Sequence, residues 1–129
     1  MVLYPVIALK SVALGVNEFV RALEEIGINL LADFGIRAGR RKGYPGLWTA
    51  GRKIGSIGVK IQKWVTFHGM AINICNDLGI FDNIVPCGID DVEMTNAAKE
   101  ANKEISMADV KNKLAQLCVE SFSSEGLAK

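Results

Sequence analysis

The stretch LWTAGRKIGSIGVKIQ, residues 47–62, decides how this chain is read. It reads as a β-hairpin that turns at Ala50-Gly51. Working outward, WVTFHG and AINIC follow as two further β segments hinged at Gly69. Upstream, GRRKGYPG reads as a loop and residues 36–38 as a short strand. Residues 2–9 form an apolar run, and Pro5 inside it argues for an edge strand or a bulge.

Two helices flank this β region. In residues 17–34, Phe19, Val20, Leu23, Ile26, Leu30, Leu31 and Phe34 recur at helical spacing, with Asn17 as the cap and Gly35 as the stop. DLGIFDNI predicts a helical turn. Residues 107–122 predict a second helix, in which Ser106 and Asp109 form a capping box and Val110, Leu114, Leu117 and Phe122 make the buried stripe. The tail SSEGLAK reads as frayed. The order β-α-ββββ-α predicts one α+β domain over residues 1–129, a mostly antiparallel sheet with helices on one face.

Half of the residues are hydrophobic and 22% are charged, the balance of a globular protein. No apolar run is long enough to span a bilayer, and MVLYPVIALK lacks the order of a secretory signal. Cys75, Cys87 and Cys118 form no C-x-x-C pair and leave one cysteine over in any disulfide scheme, which favours a reducing compartment. The net charge of +1 is unevenly spread. Between Arg37 and Lys63 lie eight basic residues and no acid, whereas from Asp77 onward ten acids face five bases. Such a basic stripe attracts an anionic partner, although many charge runs are only solvated faces. Nucleic acid is disfavoured, since no recognition motif occurs and aromatic residues are few.

The cysteines differ in setting. Cys118 adjoins Leu117 on the last helix, and Cys75 ends a β segment as an ordinary half-buried residue. Cys87 in IVPCGIDD lies between a proline that holds the backbone and a glycine across which a ligand can approach. A working thiol needs a cation or base nearby. His68, the single histidine, is one candidate. Lys53 is the other: flanked by Ile54 and near glycines 51, 55 and 58, it lies in a strand where a lysine can act as a base. One histidine and scattered cysteines give no metal-ligand spacing, and neither glycine-rich phosphate-binding signature occurs.

Taken together, these segments resemble the octanoyl (lipoyl) transferase family. YPVIAL (4–9), PGLW (45–48), RKIGSIGVK (52–60), TFHGMAIN (66–73), DLGIF (77–81) and IVPCGI (84–89) stand in the family's order and at its distances. The resemblance implies a biotin/lipoate protein ligase-like α+β domain. It implies that Cys87 carries an octanoyl or lipoyl group as a thioester, taken from an acyl carrier protein and passed to a lysine. The acceptors would be lipoyl domains of 2-oxoacid dehydrogenases and the glycine cleavage H protein. Lys53 would lower the thiol's pKa and shuttle the proton. Ser56, Ile57 and Gly58 would line the acyl site from one strand, and Gly69, Met70 and Ala71 from another, leaving His68 to orient the site or bind substrate. Neither a cofactor, a metal nor a membrane is implied, and the compartment would be the cytoplasm or a mitochondrial or plastid matrix.

Two departures accompany the match. MTN (94–96) stands where the family has a V-T-S-L-like stretch, so only Thr95 is kept and the segment is assigned no role. The family's R-G-G-x-x-T-x-H-G-P-G-Q-like motif does not precede YPVIAL, so the expectation is an N-terminally truncated domain. The competing reading is therefore a domain that binds a carrier or partner polypeptide without turnover. An open sheet edge and an uncovered apolar face favour association. The isolated chain is expected to self-associate in sedimentation, and a clean stable monomer would contradict this.

Overall fold

In the computed structural model, described for residues 1–123, five strands form one antiparallel sheet in the order β1-β5-β4-β3-β2. The strands are β1 (Val2–Leu3), β2 (Gly39–Arg41), β3 (Tyr44–Thr49), β4 (Arg52–Gln62) and β5 (Val65–Ile72). The helices are α1 (Val16–Asp33), α2 (Ala97–Ala101) and α3 (Met107–Phe122). The α+β expectation is met, with the sheet entirely antiparallel within its named strands.

The hairpin in residues 47–62 forms as read. Ala50 and Gly51 have φ of 47° and 80°, the left-handed pair of a tight hairpin turn between β3 and β4. β4 then pairs with β5 over eight registers, from Gly55↔Ile72 to Gln62↔Val65. Their turn is Lys63-Trp64, again both left-handed, with the Lys10 ammonium 5.3 Å above the Trp64 ring.

α1 and α3 cover one face of this sheet. Ile26, Leu30 and Leu31 of α1 and Val110 and Leu114 of α3 bury against Leu47, Ile54, Met70 and Ile72. A smaller cluster of Leu9, Phe19 and Leu23 packs against Ile57, Val59, Ile61 and Phe122. Removing these side chains from water is the main favourable term, roughly 25 cal/mol per Å² of apolar surface.

Several boundaries differ from the sequence reading. The 2–9 strand shortens to β1, with Ala8 returning as a single bridge to Val65, because Pro5 has no N–H to offer the ladder. A turn of 3-10 helix follows at Leu9–Val12. Gly15 and not Asn17 caps α1, and its lack of a side chain leaves room for the Glu18 carboxylate to fold back over the helix start. Gly35 ends α1 as expected: at φ 80° its N–H bonds Ala32 O, while Ile36 N–H bonds Leu31 O.

The GRRKGYPG segment is not a loop. It forms β2, a Lys42-Gly43 turn and the start of β3, while 36–38 lie outside any strand and Ile36 is buried core. β5 runs unbroken through Gly69 with no hinge, and Cys75 lies beyond it as an exposed residue. Gly79–Phe81 supplies the turn read in DLGIFDNI, and α3 has the expected bounds with Ser106 Oγ accepting the Asp109 N–H at 3.3 Å. The frayed reading of 123–129 lies, apart from Ser123, outside the described residues. Among those described, no helix is long and apolar enough to cross a membrane.

Both sheet edges are short, two residues in β1 and three in β2, which limits strand addition. Gly69 is where β1 closes onto β5: an added Cβ would lie 2.3 Å from Leu3 O and 2.9 Å from Pro5 Cδ. At Gly58, its cross-strand partner, the same addition meets nothing within 4 Å. Gly69→Ala is therefore expected to lower unfolding stability by about 1–3 kcal/mol. Gly58→Ala should stay within about 0.5 kcal/mol of the parent in the same denaturant titration.

Candidate active site

Lys53 is the second residue of β4 and is only 1% exposed. Its backbone is held on the side opposite β3 by a segment some forty residues later in the chain. Lys53 N–H bonds Glu93 O at 2.8 Å, Thr95 N–H bonds Lys53 O at 2.9 Å, and Lys53 and Met94 form a parallel bridge. The side chain extends beneath β3. Its ammonium lies 5.5 Å from the centre of the Trp48 ring, a cation-π contact that partly replaces water. Gly46, at φ 133°, roofs the aliphatic stem: a Cβ there would sit 3.1 Å from Lys53 Cε and 2.5 Å from Gly55 O. The buried Glu24 carboxylate of α1 pins that roof by accepting the Gly46 N–H at 3.3 Å.

The 93–95 segment is itself anchored. Thr95 is fully buried, and its hydroxyl donates to Glu100 Oε1 at 2.5 Å. The same carboxylate takes a forked pair of hydrogen bonds from Arg52, both at 2.9 Å. Asn73 Nδ2 donates to Thr95 O at 3.1 Å, and Asn96 caps α2 by accepting the Lys99 N–H. So Arg52, Glu93, Thr95 and Glu100 all serve to seat Lys53. The sequence reading assigned the 94–96 segment no role; main-chain pairing leaves no side-chain signature, and only Thr95, kept from the resembled family's pattern, hinted at it.

Cys87 lies six residues before this segment in the chain. Pro86–Gly88 is a single 3-10 turn in which Cys87 takes the left-handed conformation, φ 55° and ψ 21°, unusual for a residue with a Cβ. Gly88 follows at φ 66°, and the Gly88 and Ile89 amides close the turn onto Val85 O and Pro86 O. The thiol donates to Ser56 Oγ across 3.6 Å. Burial of its inner side pushes the Cys87 thiol up, but hydrogen bonds with Ser56 and Lys53 and the Lys53 charge together outweigh it. Its pKa lies below the ordinary thiol value. Burial alone acts on Cys118 and raises its pKa.

The acyl-site residues divide by face. Ser56 pairs with Ala71 and Gly58 with Gly69, on the sheet face away from α1 and α3. Ile57 and Met70 pair between these registers and turn into the helix-covered core, so they present only backbone to the other side. His68 is not brought to the thiol. It pairs with Val59, three registers along β5 from Ala71, or about 10 Å. At φ 62° it stands exposed, its ring 5.6 Å from that of Tyr4, in a groove with Lys60 and Phe67. No group of three or more metal-ligating side chains occurs among the described residues.

A lysine-clasped β-strand facing a cysteine on a separate turn, over an antiparallel sheet backed by helices, places the fold in a known class. A biotin protein ligase from Aquifex aeolicus superposes with a TM-score of 0.70 over 92% of this chain and 51% of its own, at 15% identity. Lipoate-protein ligase A bound with ATP does so with a TM-score of 0.64 over 83% and 46%, at 19% identity. These define a biotin/lipoate protein ligase-like fold. Residues 1–118 match the family described as the lipoyl protein ligase A/B catalytic domain, and the chain belongs to that family.

Curated relatives agree. The octanoyltransferase of Desulfovibrio desulfuricans is 48% identical over 100 residues, 78% of this chain and 42% of that protein. That of Synechococcus is 42% identical over 92% of this chain and 44% of its own. That of Nitratidesulfovibrio vulgaris is 36% identical over 99% and 59%. The chain thus spans about half the length of the curated relatives it matches.

A depressed thiol pKa means a larger thiolate fraction at neutral pH. Alkylation by iodoacetamide at pH 7, read by mass spectrometry, should therefore label Cys87 ahead of Cys118. In Lys53→Met the two lowering influences of the ammonium are gone, while burial and the Ser56 hydrogen bond remain. The midpoint of the pH–rate profile of Cys87 should then move upward, and an unmoved midpoint would disconnect the pair.

Proposed function

We propose that this chain is an acyltransferase domain that moves an octanoyl or lipoyl group from an acyl carrier protein, through a thioester on Cys87, to the lysine of a lipoyl domain. The observation that carries the reading is the approach of the Cys87 thiol to Ser56 beside a buried lysine cation, in a chain whose curated relatives are octanoyltransferases. The Cys87 thiolate attacks the thioester carbonyl of the donor. The carbon–sulfur bond to the carrier breaks, and the departing sulfur takes a proton from the Lys53 ammonium. In the second half the neutral Lys53 amine accepts a proton from the incoming lysine as that amine attacks the Cys87 thioester. An amide forms, Cys87 leaves as thiolate, and both groups return to their starting charge. No ATP is consumed, because the donor thioester is already activated: the first half exchanges it for a second thioester, and the second half runs downhill to an amide.

The geometry suits this cycle in three ways. Ser56 holds the thiol, Gly58 and Ala71 leave the adjoining sheet face unobstructed for an acyl chain, and the clasp on Lys53 keeps its ammonium at a set depth. The exposed cations of the basic stripe suit acidic donors and acceptors.

Incubation with octanoyl-carrier protein should add one octanoyl group to Cys87, stable to acid and released by hydroxylamine, with none on Cys87→Ser. Lys53→Met is expected to slow this acylation by about 10²-fold or more, in the range of a lost proton-transfer group. His68→Ala should change it only a few-fold, and the reverse ranking would make His68 the partner. Absence of any adduct while the carrier stays intact would leave the non-catalytic binding domain as the reading.

A further inference from the structure

The buried face of α1 is apolar except at one place. Phe19, Leu23, Ile26, Leu30 and Leu31 lie on it, and so does Glu24. Taking a carboxylate out of water costs more than burying an apolar side chain of similar size, so packing alone favours leucine or methionine at this position. Glu24 is instead enclosed with each oxygen engaged. Its Oε1 accepts the Gly46 N–H at 3.3 Å, and its Oε2 accepts the Arg40 Nε–H at 2.8 Å. Arg40 is held in turn, with Nη2 donating to Glu25 Oε2 at 2.7 Å and to Arg21 O at 3.2 Å.

Two glycines let the carboxylate reach the sheet. Gly27, one turn along α1, packs directly onto β3 and β5: a Cβ there would lie 2.4 Å from Leu47 Cδ1 and 3.0 Å from Met70 Sδ. Glycine weakens a helix interior, and here it admits the close approach that brings Glu24 to Gly46. Gly46 lies between the carboxylate and the lysine. Its N–H is bound by Glu24, while the place of its missing Cβ is 3.1 Å from Lys53 Cε. Glu24 bonds to neither Lys53 nor Cys87; the backbone of one residue stands between it and the lysine stem. Two residues further along β3 is Trp48, whose ring centre lies 5.5 Å from the Lys53 ammonium. A fixed Gly46 therefore steadies both the stem of Lys53 and the ring its charge rests on.

We propose that Glu24 is a positioning residue for the Cys87–Lys53 pair: through the Gly46 N–H it holds β3 against the lysine stem and so sets how strongly the ammonium acts on the thiol. The role rests on the pairing used in the proposed acyl transfer, and not on which acyl group is carried. Lys53 is the charged group that acts on the Cys87 thiol. An ammonium free to wander in its recess spends less time near the sulfur, and its stabilisation of the thiolate falls with distance. Around Glu24 itself the charged groups are Arg40 from β2 and Glu25 and Arg21 from α1, of which Arg40 is bonded to it. Arg40 thus keeps the carboxylate turned toward Gly46 without entering the site.

The test is the pH–rate profile of Cys87 alkylation by iodoacetamide, measured on the intact chain beside a denaturant titration. Glu24→Ala should move the profile's midpoint upward by about half a pH unit or more, the direction expected for Lys53→Met. Glu24→Gln keeps an oxygen for the Gly46 N–H and gives up the bond to Arg40, so it should return the midpoint to that of the parent. On the Lys53→Met background Glu24→Ala should add no further movement, since the lysine through which it acts is gone. The sign separates this role from a direct field. A carboxylate acting through space holds a thiol pKa up, so its loss would move the midpoint down in both variants and overturn the proposal. A purely structural Glu24 would lower the denaturation midpoint and leave the pH midpoint in place, which also overturns it. So does an upward movement that persists undiminished without Lys53. Should Glu24→Ala not fold, Glu24→Asp takes its place, with a carboxylate one methylene short of Gly46. An unmoved midpoint in Lys53→Met ends the pairing and this role with it. An unmoved one in Glu24→Ala, beside a moved one in Lys53→Met, ends only the role of Glu24.

Discussion

A lysine ammonium resists leaving water, because the bulk solvent that stabilises its charge must be replaced by something fixed. Lys53 is nonetheless almost wholly enclosed, and much of the surrounding structure is what makes that tolerable. The indole of Trp48 faces the charge, Gly46 admits the stem because it has no side chain, and Glu24 holds Gly46 from below. On the other flank, residues 93–95 bond both polar groups of the Lys53 backbone. Loosening any of these leaves a charge without its partners, a costlier change than loss of an ordinary surface contact.

The thiol and the cation are treated oppositely. Cys87 sits on a short exposed turn whose left-handed backbone is tolerated between a proline and a glycine. Lys53 sits inside the sheet. In the proposed cycle the nucleophile must meet a large partner and so needs access, while the group that tunes it needs a constant field and so needs burial. Ser56, one step from the enclosed part of β4, is where the two environments touch.

Local signals in the chain were sound where a small residue or a cap leaves one conformational choice. Ala50-Gly51 made the hairpin turn, Gly35 stopped α1, and Ser106 started α3. They failed where an element has no buried stripe of its own. β2 and the start of β3 are largely exposed, so they read as loop until β4 is present to pair with them. Gly69 looked like a hinge because glycine weakens a strand; it is instead the place where Leu3 and Pro5 pass too close for any side chain. α2 is five residues long and carries no periodicity to detect.

The proposed pairing of Cys87 with Lys53 was legible as chemistry: a thiol on a constrained turn, a lysine among glycines, and two candidate partners for the thiol. Choosing between Lys53 and His68 from residue type alone was not possible, since both can serve a thiol. The sheet register sets His68 three registers from Ser56's partner and facing Tyr4, which favours the proposed pairing with Lys53. The basic stripe was likewise visible as charge, yet which of its members remain available depends on where Glu24, Glu25 and Glu100 come to rest. The sequence by itself determined which functional groups the chain carries and where its backbone must turn, because those follow from single residues and their neighbours. Only the tertiary structure decided which of those groups meet and which charge is buried. Burial and pairing arise from segments distant in sequence, here residues 24, 46, 53, 87 and 95, brought together by the packing of helices on a sheet.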